Sequence, residues 1–428
     1  MERTGIARKL FQGDVAIWII FMLLCCISII EVFSATSTLA FKHANIWMPI
    51  ARHASYLFVG FLFTLGLSHT PHTYFSLGIL LLPVSILLLI ATIFWGISDN
   101  EATRRLDLFG TPFQPSEFGK LACIIFVAFL LSKREKISNE KTFKYIWIGV
   151  GAVCLLIFPS NLSTTLILGV VCFLMMFIGQ IPFTKLLRLL FFVSVAALVF
   201  VLLLCVIPPD TTRKYMPRAV TWQKRVHTFV GYNTDTIEKQ RTDDTYQITI
   251  SQIAIARGGV FGKLPGQSIQ RDILPRAFDD FIYAIIIEEM GVVGGIFVLM
   301  LYVMLMIRVS VIARRCEKLF PKFLVLGSGL LIVIQALVHM AVTVNLFPVT
   351  GQPLPLISRG GTSIVTTCIL IGMILSVSRF SAKMNEGEEQ NEEGDGNENE
   401  ENANNEPEKD GYSEENLNLA AEIEEVET

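Results

Sequence analysis

Two adjacent carboxylates, Asp279 and Asp280, stand immediately before a long apolar stretch and are the first candidates for chemistry in this sequence. A helix dipole favours a carboxylate at the helix N-terminus, so the pair fits a helix cap. The same place fits a general base facing a cavity, where partial burial and nearby Arg276 would tune its pKa. The sequence leaves both interpretations open. Glu288 and Glu289 follow two turns deeper, and we expect one of them to face the interior of a helix bundle.

A second ionisable group, Glu117 and Lys120, opens another apolar stretch. The i,i+3 spacing places both side chains on one helix face, where they can pair. Ionisable residues inside a membrane span are expensive and are therefore candidates for a functional site. A buried ion pair can also order a site without touching substrate, so both interpretations stay open here too.

The third group is the run from Asn345 to Ser363, which lies between two apolar stretches and is itself largely apolar. Three prolines and three glycines make a regular helix impossible over this length. Non-helical backbone at membrane depth is tolerated only where it is buried in protein or lines a cavity. The run therefore predicts a cavity, without deciding between transport and catalysis.

Membrane-spanning helices must position these residues. Hydrophobic residues make up 52% of the 428 positions, charged residues only 17%, and the mean hydropathy is +0.54. This composition is typical of an integral membrane protein and excludes an ordinary soluble enzyme. A span needs about 20 apolar residues, and we predict an all-α protein with about ten spans. They cover residues 15–36, 54–69, 74–96, 115–132, 145–158, 162–180, 187–207, 281–307, 321–343 and 362–379.

Lysine and arginine are concentrated in the short loops on one side of these spans, as in residues 133–144 and 308–322. The positive-inside rule then places both termini in the cytoplasm. The large loop of about residues 208–280 falls outside, as a folded cap or as an amphipathic stretch at the interface. We predict one transmembrane domain over residues 1–380. Residues 381–428 are strongly acidic and of low complexity, and we predict a disordered cytoplasmic tail.

Several function classes lack their signatures. The sequence contains no GxxxxGK[ST] phosphate loop and no HExxH motif, so nucleotide hydrolysis and zinc proteolysis are not indicated. The eight cysteines form no CxxC pair, and no cluster of acids defines a metal site. No soluble basic patch interleaved with aromatic residues suggests nucleic-acid binding.

The chain resembles the SEDS family of peptidoglycan glycosyltransferases from the first span to about Phe380, with matched motifs in the family's order. The first motif is met by Arg104, Gln114, Pro115, Ser116, Glu117 and Lys120. The outer-loop motif is met by Tyr246, Gln247, Gly258, Gly259, Gly262, Lys263, Gly266, Ser268, Leu274, Pro275, Asp280 and Phe281. The closing motif is met by Pro348, Thr350, Gly351, Leu354, Pro355, Ser358, Gly360, Gly361 and Ser363.

The resemblance implies glycosyl transfer between lipid II molecules at the bacterial cytoplasmic membrane, with Asp280 as the catalytic base. It implies Arg104, Lys120 and Lys263 as cations for the departing diphosphate. The substrate-binding set implied by the resemblance is Arg104, Gln114, Glu117, Lys120, Lys263 and Ser358. No cofactor is certain, although a divalent cation (Mg²⁺ or Mn²⁺) can accompany the diphosphate. The implied partners are a class B penicillin-binding protein, which is a transpeptidase, and other membrane proteins of the division machinery.

Three positions depart from the family's pattern. Arg105 stands where the family has tryptophan, Asn161 replaces an aspartate, and Arg359 replaces a tyrosine. A carboxylate role at position 161 is therefore lost, whereas the two arginines can add cationic contacts.

Other functions remain in competition with septal polymerisation. An elongation or sporulation role within the same family is one. A lipid II flippase is another, and it is expected to place its key charges nearer the membrane midplane, at Glu117, Lys120 or Glu288. A non-catalytic scaffold is the third.

Overall fold

The computed structural model describes residues 10–35, 47–99, 102–108, 111–206, 219, 222, 243–274 and 278–381. The predicted acidic tail lies outside the described residues apart from its first position, as does most of the predicted outer loop before residue 243. The predictions for these segments stay predictions.

Helices occupy all ten predicted spans, which confirms the all-α membrane class. Eight are long and apolar enough to cross a membrane. The spans before the outer loop are α1 (Val15–Ala35), α2 (Trp47–His69), α3 (Leu81–Trp95, entered through a 3₁₀ helix at His72–Leu80), α4 (Pro115–Ser132), α5 (Asn139–Ile157), α6 (Leu162–Ile178) and α7 (Phe183–Val206). The later ones are α10 (Ile282–Arg314), α11 (Leu319–Thr343) and α12 (Gly361–Ser381).

The two remaining spans are weaker candidates for local reasons. Helix α5 carries Glu140, Lys141 and Lys144 within its first two turns, and α6 is only 17 residues long. The centre of the bundle is formed by α4, α11 and α12, which are the most deeply buried spans, whereas α7 exposes nearly all of its apolar surface. Such exposure is expected of a helix that faces lipid.

A small antiparallel sheet between α3 and α4 was not predicted from the sequence. It consists of β1 (Ile97–Asp99), β2 (Ala102–Leu108) and β3 (Thr111–Phe113), in the order β1-β2-β3. Leu106 pairs with Phe113, and only Gln114 separates the sheet from α4. The sheet therefore carries Arg104 and Arg105 of β2 beside the start of a buried span.

The described end of the outer loop packs against α10. Helix α8 (Asp243–Gly258) buries Ile248 and Ile250, and a short helix α9 covers Gln270–Ile273. Within the described residues, the end of the outer loop is thus a packed helical segment.

Helix α10 is broken at Gly291, where φ is 73°. The loop that follows α8 repairs the break with its own backbone: Val292 N–H donates to Gly259 O (3.0 Å), and Leu264 N–H donates to Glu289 O (2.8 Å). A Cβ on Gly291 would stand 2.1 Å from Val260 O, so only glycine permits this approach. The loop thus gives new hydrogen-bond partners to backbone groups that the break frees, as a break inside a membrane requires.

Candidate active site

A cavity of about 640 Å³ opens between α2, β2 and two non-helical segments, residues 278–280 and 351–360. The run from Asn345 to Ser363 thus lines a cavity, as its prolines and glycines predict. Of the residues expected to bind substrate or catalyse, the cavity brings together Asp280, Arg104 and Gln114. Its charged lining residues are Arg52, Arg104, Arg105, Asp279, Asp280 and Arg359.

Helix N-termini converge on this cavity. Gln114 and Asn161 are the N-cap residues of α4 and α6, and both line it. Asp280 lies directly before Phe281, the N-cap of α10, while Gly361 begins α12. Each N-terminus carries about half a positive charge. Four such ends together with four arginines outweigh the two aspartates, so the cavity is net positive and suited to an anionic ligand.

The position of Asp280 is fixed by contacts on either side of it. Ser358 Oγ–H donates to Asp279 O at 2.7 Å, and Leu354 N–H donates to Ser358 Oγ at 2.8 Å. Arg359 N–H donates to Phe278 O at 3.0 Å, and the Arg359 guanidinium stacks over the Phe278 ring. The carboxylate therefore sits on a backbone segment that is tied to residues 354–359.

Gly351 lies close to the Asp280 carboxylate. It has a φ of +63°, and a Cβ built there would stand 3.7 Å from both carboxylate oxygens. Glycine thus allows a left-handed turn to pass beside the candidate base.

Side chains from several helices hold the carbonyl groups of residues 350–357. Gln335 Nε2–H donates to Pro353 O (3.0 Å), Tyr302 O–H to Pro355 O (2.5 Å), and Ser28 O–H to Ile357 O (3.1 Å). His339 Nδ1 is 2.7 Å from Gln352 O. The carbonyl groups of a segment that forms no regular helix are in this way satisfied and held in place.

Glu117 and Lys120 do not line the cavity. Lys120 Nζ lies 2.9 Å from Glu117 Oε1 and 2.8 Å from Gln335 Oε1, and the side chains of both ion-pair residues are at most 5% exposed. Gln335 in turn holds Pro353. The pair thus acts on the cavity from behind its wall, by supporting the segment that carries Gly351.

Ser358 and Lys263 also stand apart from the cavity. Ser358 is buried, and its hydroxyl donates a hydrogen bond to the backbone oxygen of Asp279, directly before the candidate base Asp280. Lys263 belongs to the loop that repairs α10, where its N–H donates to Glu288 O at 3.1 Å. The sequence motif therefore places Lys263 near the α10 break, and the structure does not bring it to Asp280.

Glu288 and Glu289 are both buried, where one was expected to face the bundle. Ser268 donates to Glu288, and Ser34 donates to Glu289. Arg271 Nη1 lies 3.7 Å from Glu289. The two carboxylates tie α9 and α1 to the broken helix.

Arg52, His53 and Tyr56 of α2 line the cavity and were not predicted as site residues. Arg52 and His53 are polar positions in the first turns of an otherwise apolar span, which is the signal that could have found them. Arg104 is oriented by a hydrogen bond from its Nε–H to Ser160 O at 2.9 Å. Within the described part of the chain, no three His, Cys, Asp or Glu residues are grouped so as to hold a metal ion.

Residues 14–383 match the family model described as "Cell cycle protein", that of FtsW, RodA and SpoVE. The chain belongs to this family. It is 33% identical over 288 residues to the probable peptidoglycan glycosyltransferase FtsW of Taylorella equigenitalis, covering 66% of this chain and 74% of the relative. It is 30% identical over 387 residues to the protein of the same name from Haemophilus influenzae, covering 88% and 93%.

Solved structures share the fold. A chain from the study "Structural coordination of polymerization and crosslinking by a peptidoglycan synthase complex" has a TM-score of 0.70 at 24% identity, over 86% of this chain and 98% of that one. The rod shape determining protein RodA of Thermus thermophilus has a TM-score of 0.59 at 21% identity, over 86% and 97%.

Proposed function

We propose that this protein is a peptidoglycan glycosyltransferase that polymerises lipid II into glycan strands during septal cell-wall synthesis. The observation that carries the proposal is the placement of Asp280 in a cavity lined by four arginines and four helix N-termini. A reaction with a diphosphate leaving group needs a base for the attacking hydroxyl and positive charges that stabilise the departing diphosphate. The family and the naming of its relatives as FtsW support both the activity and the division branch.

The reaction is a single displacement. Asp280 accepts the proton of the acceptor sugar's hydroxyl, and that oxygen forms a bond to the anomeric carbon of the donor sugar. The bond from the anomeric carbon to the diphosphate oxygen breaks, and its electron pair leaves with the polyprenyl diphosphate. The configuration inverts, so one base suffices and no second carboxylate is needed as a nucleophile.

Arg52, Arg104, Arg105 and Arg359 supply the positive charge that the leaving diphosphate requires. They replace Lys120 and Lys263 in the assignment suggested by the motifs, because neither lysine lines the cavity. A Mg²⁺ or Mn²⁺ ion, where used, enters bound to the diphosphate.

The cavity opens to the outer face of the cytoplasmic membrane in this proposal, with both termini in the cytoplasm. The support is the lysine and arginine bias of the short loops. A class B penicillin-binding protein would crosslink the strands, alongside other membrane proteins of the division machinery. The fold shared with a chain of a peptidoglycan synthase complex supports such a partner.

The decisive experiment compares wild type with Asp280→Asn and Asp279→Asn. Each protein, copurified with its penicillin-binding protein, receives fluorescent lipid II, and glycan chains are resolved on a gel. Loss of a general base reduces the rate by about 10²- to 10⁴-fold, so we expect Asp280→Asn to abolish visible polymer. Asp279→Asn removes the same charge one residue away and is the matched control, expected to retain polymerisation.

A result against the proposal would be no polymer from the intact wild-type complex while a control enzyme of the same family is active. Lipid II transport, assayed as flipping in proteoliposomes, would then be the function to test. Equal activity of Asp280→Asn and wild type would remove Asp280 from its role as base.

A further inference from the structure

His53 is a polar residue of α2 that the proposed reaction does not use. His53 is 3% exposed and is one of the residues that line the cavity. His53 Nε2 lies 2.8 Å from Ser28 Oγ on α1. A buried imidazole in contact with a ligand cavity has two nitrogens to satisfy, and the state of each follows from its partners.

The partner of Ser28 fixes the tautomer of His53. The Ser28 hydroxyl donates to Ile357 O at 3.1 Å, and a hydroxyl has only one proton to donate. Ser28 Oγ must then accept from His53, so the proton of the neutral ring is on Nε2. Nδ1 is left with a lone pair and acts as a hydrogen-bond acceptor.

His53 Nδ1 is buried, and no donor to it exists in the described residues. A buried polar atom without a partner is costly, and such exceptions in native structures call for an explanation. His53 and Arg359 both line the cavity, and the long side chain of Arg359 can move when the cavity fills and so open Nδ1 to a ligand. A donor on the ligand would complete the site.

The lining residues otherwise favour anionic groups. Arg52, Arg104, Arg105 and Arg359 donate only, and the helix N-termini likewise offer N–H groups. Sugar hydroxyls and N-acetyl amides are hydrogen-bond donors that need acceptors, and with Asp280 engaged by the reacting hydroxyl the remaining donors need others. His53 Nδ1 offers one, at the wall that Ser28 braces from behind.

We propose that His53 binds the saccharide of the substrate, with Nδ1 accepting a hydrogen bond from a sugar hydroxyl or an amide N–H. This inference rests on the proposed glycosyltransferase function and adds a recognition residue to it. His53 does not exchange a proton with the reacting oxygen, because Asp280 holds that role. Substitution of His53 should therefore weaken substrate binding, and raise KM more than it lowers kcat.

The test uses variants that separate the two ring nitrogens. In His53→Gln, the amide nitrogen can reach the place of Nε2 and keep the Ser28 contact, while nothing replaces Nδ1. In His53→Asn, the shorter amide can place its oxygen near Nδ1. His72→Gln is the matched control, since His72 also has a buried Nδ1 without a partner but lies outside the cavity, with its ring edge-on to Phe380.

Binding of fluorescent lipid II is measured in detergent with all variants in the Asp280→Asn background, so that no turnover occurs. We expect His53→Gln to raise Kd roughly tenfold, His53→Asn to raise it less, and His72→Gln to leave it unchanged. In the active background, His53→Gln should raise KM by a similar factor while kcat changes little. Acceptor analogues with single hydroxyls removed then identify the donor, since the partner's loss should cost nothing further in His53→Gln.

Unchanged Kd and KM in a folded His53→Gln protein would overturn the assignment, as would a fall in kcat alone. Ser28→Ala removes the anchor of His53 together with the hydrogen bond to Ile357 O, and should also weaken binding. Thermal unfolding equal to that of the wild type excludes misfolding of the histidine variants. Failure of the proposed function looks different, because the wild type would then make no polymer even where the Asp280→Asn protein with native His53 still binds lipid II.

Discussion

Removing one partner of the buried Glu117–Lys120 pair decides whether this pair supports the site or touches substrate. The pair bridges α4 to α11, since Lys120 Nζ contacts both Glu117 (2.9 Å) and Gln335 (2.8 Å). In Glu117→Gln, the Lys120 ammonium stays buried with only a neutral neighbour. In Lys120→Met, the Glu117 carboxylate is buried alone.

The size of the effect follows from burial. Side chains at most 5% exposed are not rescued by water, and breaking such a pair destabilises by about 3–5 kcal/mol. Replacing both partners together leaves no uncompensated charge. Glu117→Gln with Lys120→Met should therefore recover most of the loss, to within about 2 kcal/mol of wild type.

Thermal unfolding in detergent and lipid II polymerisation would be measured on all four proteins. We expect the two single variants to melt lower and to polymerise slowly, and the double variant to regain both properties in parallel. The Lys185–Glu140 pair provides the exposed control: its carboxylate side chain is 83% exposed, and Lys185→Met should change little.

A different pattern would refute this reasoning. Single variants with wild-type melting but no polymer, together with an inactive double variant, would mean that Lys120 or Glu117 meets the substrate directly. That outcome would restore the substrate-binding role that the motif suggested for these residues.

Three further perturbations follow from the same structure. Gly291→Ala should lower the free energy of unfolding by more than about 2 kcal/mol, because φ is positive there and a Cβ would stand 2.1 Å from Val260 O. Thermal unfolding measures this change. Gly66→Ala is the control and should be neutral, because the space around its Cβ is open. Ser358→Ala should lower kcat by roughly 10- to 100-fold, because Leu354 N–H and Asp279 O lose their hydrogen-bond partner beside the base. Ser381→Ala is the control: it removes only the hydrogen bond to Arg315 O and should leave kcat unchanged. Excess EDTA should slow polymerisation without abolishing it, since four arginines already neutralise the diphosphate; complete loss would show that a metal ion is required.

The spans were predictable because they depend mainly on the hydropathy of the sequence. Burial in lipid requires about 20 apolar residues whatever the neighbouring helices are, so hydropathy alone located all ten helices. The place of Asp280 was predictable for a similar reason, since a polar residue before an apolar run must lie at the end of a span. The cavity at residues 345–363 followed from prolines that no membrane helix could absorb.

The rest depends on contacts between distant parts of the chain. The break at Gly291 looks like an ordinary glycine in an apolar run, and only the loop that ends at Leu264 explains it. The β1–β3 sheet is too short to show a pattern, yet it brings Arg105 to the cavity. Arg52 stands out as a polar residue near the start of an apolar span, but only the structure shows that it lines the same cavity as Asp280.

The family motifs group residues that act at different depths, and the structure separates them. Asp280, Arg104 and Gln114 line the cavity, whereas Lys120 and Ser358 act on its backbone walls. We expect loss of a single residue of either kind to reduce activity, because a base displaced by an ångström loses most of its effectiveness. A sequence motif cannot distinguish contact with substrate from support of the residue that makes contact. The double variant of Glu117 and Lys120 makes this distinction through stability and polymerisation activity. A pair that only supports the site can be replaced as a unit with both properties retained, whereas a residue that binds substrate cannot.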